Sequence, residues 1–233
     1  MSDLMKSRRP LPSFVWSLDR DELSAYVARQ LSFFAPPGRI YAAADVRPFI
    51  PAACRRVEKC FRAIRRKYYC VDGRCQFSHL HGDHYAAFLY LLGNTIHQTG
   101  RRPDLSDATF LLNKMLHGLD AFYAIELPDI FLFIHPVGTV LGNARYRDYF
   151  VVYQNCAIGS TSDGAYPQFS AGTVLFAKAA VIGNCRVGSN VVFGANSFVL
   201  NVSVSSGTTV VGTYPQHRLI SSKDIVSEKY FAP

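Results

Sequence analysis

Apolar residues fall into two different periods along this chain. In the first half they recur every three or four positions, the signature of helices with one buried face. Leu23, Val27, Leu31 and Phe34 form one such run, with Ser17 as a candidate cap before it and Pro36-Pro37-Gly38 after it. A second run follows Pro48 and Pro51 and carries Val57, Phe61, Ile64 and Tyr68. A third helix is expected over about Asp83–Gln98, from His84, Phe88, Leu91 and Thr95 and a second apolar ridge beside them. A fourth should start at a Ser106-Asp107 cap and run through Phe110, Leu111 and Met115 toward Gly118.

From Ile134 the period becomes six. Ile134, Val140, Tyr146, Val152 and Ile158 are evenly spaced, and the series resumes at Phe169, Leu175, Val181, Val187, Phe193 and Val199. Small residues such as Gly142, Gly159, Gly183, Gly188 and Gly194 follow closely behind these positions. Neither a helix nor an alternating strand repeats every six residues. A prism of three short strands per turn does, with one large apolar residue per face pointing inward and small residues at the corners. The eleven residues from Ile158 to Phe169 are not a multiple of six, so Ser160–Gln168 must leave the coil as a loop. Loops on a rigid scaffold are where binding residues concentrate.

Composition narrows the class. Among 233 residues 49% are apolar and 18% charged, which describes a folded chain with a real core. Met1–Pro12 is polar and basic without an apolar run, and no apolar stretch is long enough to span a bilayer, so neither a signal peptide nor a membrane span is expected. A cytoplasmic location follows as the default. The six cysteines are too few for a disulfide framework in a chain of this length and read as reduced, buried thiols. Much of the net charge of +8 lies in Arg55, Arg56, Lys59, Arg62, Arg65, Arg66 and Lys67, the outer face of the second helix. This reads first as a solvated face, and otherwise as attraction for an acidic partner. No aromatic interleaving or motif points to nucleic acid.

At these residues the chain resembles the serine acetyltransferases of the hexapeptide acyltransferase superfamily, over roughly Tyr85 to Pro215. Gly100-Arg101-Arg102 is similar to the approach to the coil in that family. His135, in His-Pro-Val-Gly-Thr-Val-Leu-Gly, resembles the family's catalytic histidine, and Asp120, fifteen residues upstream, stands at the spacing of its aspartate partner. Pro167 to Gly183 and Gly194-Ala195-Asn196-Ser197 continue the likeness. The resemblance implies an α+β fold: a helical N-terminal domain (1–118), a left-handed parallel β-helix of hexapeptide repeats (119–215) and a C-terminal tail (216–233). It also implies a homotrimer, or a dimer of trimers, with sites in the clefts between neighbours. Acetyl-CoA would lie along the coil, at positions that include Ala177, Gly183 and Ala195, with Lys178 and Arg218 as phosphate partners.

Acetyl transfer from a thioester to a hydroxyl needs a base near neutrality, a carboxylate to fix its tautomer, and donors for the tetrahedral oxyanion. His135 is the expected base, Asp120 its orienter, and turn N–H groups the donors. The family's Asp before the histidine is here Ile134, and its loop Arg-His pair, which grips the serine carboxylate, is here Ala165-Tyr166. With those contacts missing, the expected acceptor is a sugar or nucleotide-sugar hydroxyl, stacked on Tyr166 and reached by Asp163. O-acetylation of L-serine, the step that opens cysteine biosynthesis, is the alternative. A weaker alternative is a zinc hydrolase, because His79-Leu80-His81-Gly82-Asp83-His84 matches a His-x-His-x-Asp-His metal motif. That motif normally follows a strand in a β-rich fold, whereas here a helical pattern continues from it. No bound metal is therefore expected, and a structural zinc at Cys70 and Cys75 is weaker still, since their spacing is loose.

Overall fold

The computed structural model describes residues 13–231. Met1–Pro12, on which the expectation about a signal peptide rests, lies outside them.

Helix α1 (Arg20–Phe34) is capped by Asp19 rather than Ser17. The Asp19 carboxylate accepts from the N–H groups of Asp21 and Glu22, while Glu22 reaches back to the Asp19 N–H. A carboxylate at this position also suits the positive end of the helix. After the short α2 (Ala43–Val46), the basic helix α3 runs only over Ile50–Arg62. It stops before Ile64 and Tyr68 because the backbone there is used elsewhere: Arg65 donates to the Tyr230 carbonyl, and Ile64 bridges Phe231. Arg55, Lys59, Arg65, Arg66 and Lys67 are exposed, as a solvated face requires, while Arg56 and Arg62 are half-buried. Arg56 donates to Thr95 at 3.0 Å, and the Arg66 guanidinium lies 4.8 Å from the centre of the Tyr230 ring.

Helix α4 (Gly82–Thr99) is buried continuously from His84 to Ile96. It ends at Gly100, whose φ of 65° is left-handed and costs glycine nothing. Helix α5 (Pro103–His117) starts before the expected Ser106-Asp107 cap. Pro103 occupies the first turn, where its missing N–H is no loss, and Ser106 is buried and bonds the Arg102 carbonyl.

The coil begins immediately after α5. One face holds Asp120–Ala121, Val140–Leu141, Ala157–Gly159, Ala180–Ile182 and Phe198–Leu200 in parallel register. A second holds Phe131–Phe133, Phe150–Val152, Thr173–Leu175, Val191–Phe193 and Thr208–Val211. The third is short, built around Gln168–Phe169 and Arg186–Val187, with a bridge from Arg145. This is the expected parallel β-helix. From Tyr146 to Val199 every position of the six-residue series is buried. The first coil is different: Val140 is 47% exposed and Ile134 only half-buried, whereas Ala121, Leu127 and Phe133 point inward. These are also six apart, but one residue out of phase with Tyr146 and Val152, so the expected inward roles of Ile134 and Val140 are corrected. The phase change falls on the segment that carries His135.

The tail folds back. Arg218–Ser221 pairs antiparallel with Thr208–Val211, and α6 (Val226–Tyr230) brings Val226, Tyr230 and Phe231 into the core. One cluster of buried side chains runs from Leu23 in α1 through Phe88 and Phe131 to Val210.

The reading of all six cysteines as thiols is corrected at two. Cys70 and Cys75 are a disulfide, their Cα atoms 4.0 Å apart, because they face each other across an antiparallel hairpin. Bonded to each other, they cannot ligate zinc as thiolates. Cys54, Cys60, Cys156 and Cys185 are free and buried. Among the described residues, no helix is long and apolar enough to cross a membrane.

Candidate active site

His135 stands on the corner where the second face turns into the first. Its φ of 49° and its 76% exposed ring present the imidazole outward from the top coil. The same corner continues downward through hydrogen bonds from Asn155 N–H to Val137, from Lys178 N–H to Gln154, and from Asn196 N–H to Ala177. Gln154 with Asn155, Ala177 with Lys178, and Ala195 with Asn196 therefore stack in turn below Val137 and Gly138, beside the His135 corner, at the ~4.8 Å spacing of parallel strands. Ala177 and Ala195 put small side chains on the two lower steps of this edge, below Gln154. In the stack, Gly138, Asn155, Lys178 and Asn196 all have positive φ. Glycine and asparagine tolerate that conformation; lysine is strained by roughly 1 kcal/mol. Of the remaining residues expected at a CoA site, Gly183 lies at the next corner and Arg218 on the returning strand, paired with Val211.

That next corner carries the loop 160–168. Tyr166 lines a cleft of about 690 Å³ together with Glu126, Asn143, Arg145, Arg147 and Gln168. Gly142 is required here: a Cβ on it would lie 2.6 Å from the Ile158 carbonyl and 2.7 Å from the Tyr166 ring. Asp163 is turned into its own loop, accepting from the Thr161 hydroxyl and the Ala165 N–H, which hold its carboxyl below the usual range. The cleft is not empty of charge, as Ala165 and Tyr166 alone suggested. Two guanidiniums and one carboxylate enter it from the preceding coils, at positions no sequence spacing marks. Within one chain His135 and Tyr166 occupy different corners, at opposite edges of the first face.

Asp120 and His135 are both in place on the first coils, but the Asp120 carboxylate is bound to Lys114 at 2.6 Å. The carboxylate in contact with His135 comes from Asp83, at the start of α4. Asp83 Oδ1 accepts from the His135 N–H at 3.1 Å, and Oδ2 lies 3.9 Å from His135 Nδ1. The histidines of the His-x-His-x-Asp-His motif make other contacts. His79 bonds the Ser17 hydroxyl. His84 is fully buried, its Nδ1 accepting from the Ser78 N–H, and its ring stacks on His81 with centroids 4.2 Å apart. Burial, and next the neighbouring His81, push the His84 pKa down to about 3. Among the described residues no three His, Cys, Asp or Glu side chains converge to hold a metal.

No family model matches the chain. Curated relatives do: it is 35% identical over 105 residues to a serine acetyltransferase of Synechococcus elongatus, covering 43% of this chain and 43% of that protein. It is 41% identical over 86 residues to a serine acetyltransferase of Staphylococcus xylosus, covering 35% and 39%. The chain thus matches less than half the length of these relatives. Solved structures extend the likeness. The serine acetyltransferase of Neisseria gonorrhoeae superposes with a TM-score of 0.69 at 19% identity, over 88% of this chain and 79% of that one. A serine acetyltransferase in complex with CoA gives 0.66 at 21%, over 87% and 86%. The fold is that of the serine acetyltransferases, a helical domain followed by the left-handed β-helix.

Proposed function

We propose that this chain transfers acetyl from acetyl-CoA to the hydroxyl of L-serine, with His135 as general base. The observation that carries the reading is one corner of the coil, with the exposed ring of His135 at its top and Ala177, Lys178 and Ala195 stacked on its lower steps. A histidine stands at the head of this track, and Ala177, Ala195 and a lysine at positive φ lie on its lower steps. Such a track fits an extended thioester with its acyl end at the imidazole and a phosphate near Lys178. His135 takes the proton of the acceptor hydroxyl, whose oxygen attacks the thioester carbonyl. The tetrahedral oxyanion collapses, the C–S bond breaks, and the CoA thiolate recovers the proton from the imidazolium.

The sugar acceptor rested on a site stripped of charge. The charges lining the Tyr166 cleft remove that ground, and the named activity of the relatives favours serine. Arg145 or Arg147 can neutralise the acceptor carboxylate, and Glu126 can face its ammonium. These groups meet His135 only between chains. The first face is apolar on its outer side, where Val140, Ile182, Phe198 and Leu200 alternate with the inward positions. Packing such faces in a homotrimer sets one chain's Tyr166 cleft beside its neighbour's His135 corner. Asp120 remains a candidate to support His135 once Lys114 is drawn away. The test is release of CoA from acetyl-CoA with L-serine as acceptor, in parallel with UDP-sugars. Serine-dependent turnover at kcat/KM of about 10⁴ M⁻¹s⁻¹ or more supports the reading. A rate dependent only on a sugar overturns it.

A further inference from the structure

We propose that Asp83 is the positioning residue of His135, holding its ring in the tautomer that leaves Nε2 free to accept a proton. This inference rests on His135 being the base. One carboxylate addresses both parts of this residue: Oδ1 takes the His135 N–H at 3.1 Å, and Oδ2 faces Nδ1 at 3.9 Å. The first contact fixes the backbone of a residue at positive φ. The second is within a small rotation of a hydrogen bond, the kind of contact that tightens when a substrate closes the site. Asp83 is itself well held, with 13% of its side chain exposed against 76% for His135. It sits in the first turn of α4. Asp120, the other carboxylate near this corner, is engaged by Lys114.

The arrangement also accounts for the His-x-His-x-Asp-His motif without a metal. His79 ties the turn to Ser17, and His84 ties it to Ser78 and stacks on His81. Together they fix the start of α4 so that Asp83 projects onto the coil. A carboxylate from the helical domain thus orients a base carried by the β-helix.

The test compares Asp83→Asn, which keeps an acceptor for the His135 N–H and removes the charge, with His135→Ala and Asp120→Asn. The readouts are acetyl-CoA turnover with L-serine and the ¹⁵N spectrum of the His135 ring. In the wild type the Nδ1-protonated tautomer should dominate, and in Asp83→Asn the two tautomers should mix. Turnover should fall about 10²–10⁴-fold, with KM for acetyl-CoA within twofold, since an amide cannot enforce the tautomer. An Asp83→Asn tautomer balance identical to the wild type overturns the inference, whatever happens to the rate. If Asp83→Asn fails to fold, Asp83→Ser is read the same way: mixing of the two tautomers is expected, and a balance identical to the wild type overturns the inference. Full activity in His135→Ala sinks the assignment of the base instead, and the ring spectrum keeps the two failures apart.

Discussion

His84 and His135 are one residue type in two regions built to opposite ends. His84 lies inside the helical domain, wholly buried, with Nδ1 accepting a backbone N–H and its pKa pushed down to about 3 by lost hydration. It is neutral at any physiological pH and serves packing. His135 stands on a corner of the coil with its ring in solvent and one carboxylate beside it. Asp83, adjacent to His84 in sequence, is the group that touches His135. The contrast teaches that this fold leaves a histidine open to solvent on the edge of the rigid prism, while in the helical domain His84 is committed to holding shape.

The largest effect that could break this contrast is on turnover. His135→Ala should lower kcat about 10²–10⁴-fold while leaving the melting temperature nearly unchanged, because an exposed ring contributes little to packing. A large loss of stability instead would mean that His135 is structural like His84.

The complementary effect at His84 is on stability alone. Its folded pKa is depressed below the unfolded value of 6.5, so its contribution is fully present above that value and is lost as pH falls toward 3. Between pH 6.5 and about 4 acidification should remove about 3 kcal/mol, taking 1.36 kcal/mol per unit. Denaturant unfolding of the wild type and His84→Phe across pH 7 to 4 measures this. The phenylalanine variant should lose stability less steeply, and parallel curves would show that His84 is not the group that titrates.

A smaller effect sharpens the comparison at the other edge of the first face. Arg145→Ala should raise KM for L-serine about 10–100-fold, the range expected for one charge-assisted hydrogen bond of about 1.5–3 kcal/mol, with acetyl-CoA binding unaffected. An unchanged KM for both Arg145→Ala and Arg147→Ala would place the carboxylate elsewhere.

The smallest effect concerns the hairpin beside the helical domain. Cys70 and Cys75 are five residues apart, so opening their disulfide frees only a short loop, worth about 2 kcal/mol by chain entropy. Reduction should lower the melting temperature by about 4–8 °C and leave kcat within twofold. A collapse of activity on reduction would tie the hairpin to the site.

Much of this was legible in the residues themselves. The six-residue series predicted the coil, and its interruption predicted the loop 160–168, because inward side chains on a prism recur at a fixed interval whatever lies outside it. Gly100 and Gly118 ended their helices in left-handed turns, as glycine's freedom allows. Local pattern misled where two partners competed for one role: Asp19 rather than Ser17 caps α1, since a carboxylate also answers the helix dipole. The first coil slipped phase because Ile134 and Val140 kept the count of six while Phe133 won the interior.

What the sequence determined by itself was the periodic part: helices, coil, loop, and a histidine in a recognisable setting on the coil. Only the tertiary structure decided which charges meet. Asp83 reaches His135 across fifty-two positions, and Arg145 enters the Tyr166 cleft from the coil before the loop. Stacking coils and docking α4 bring together side chains whose spacing along the chain has no period, and a pairwise electrostatic contact leaves no trace in hydrophobic pattern. For that reason the frame of this protein could be read in one dimension, and the polar contacts of its site only in three.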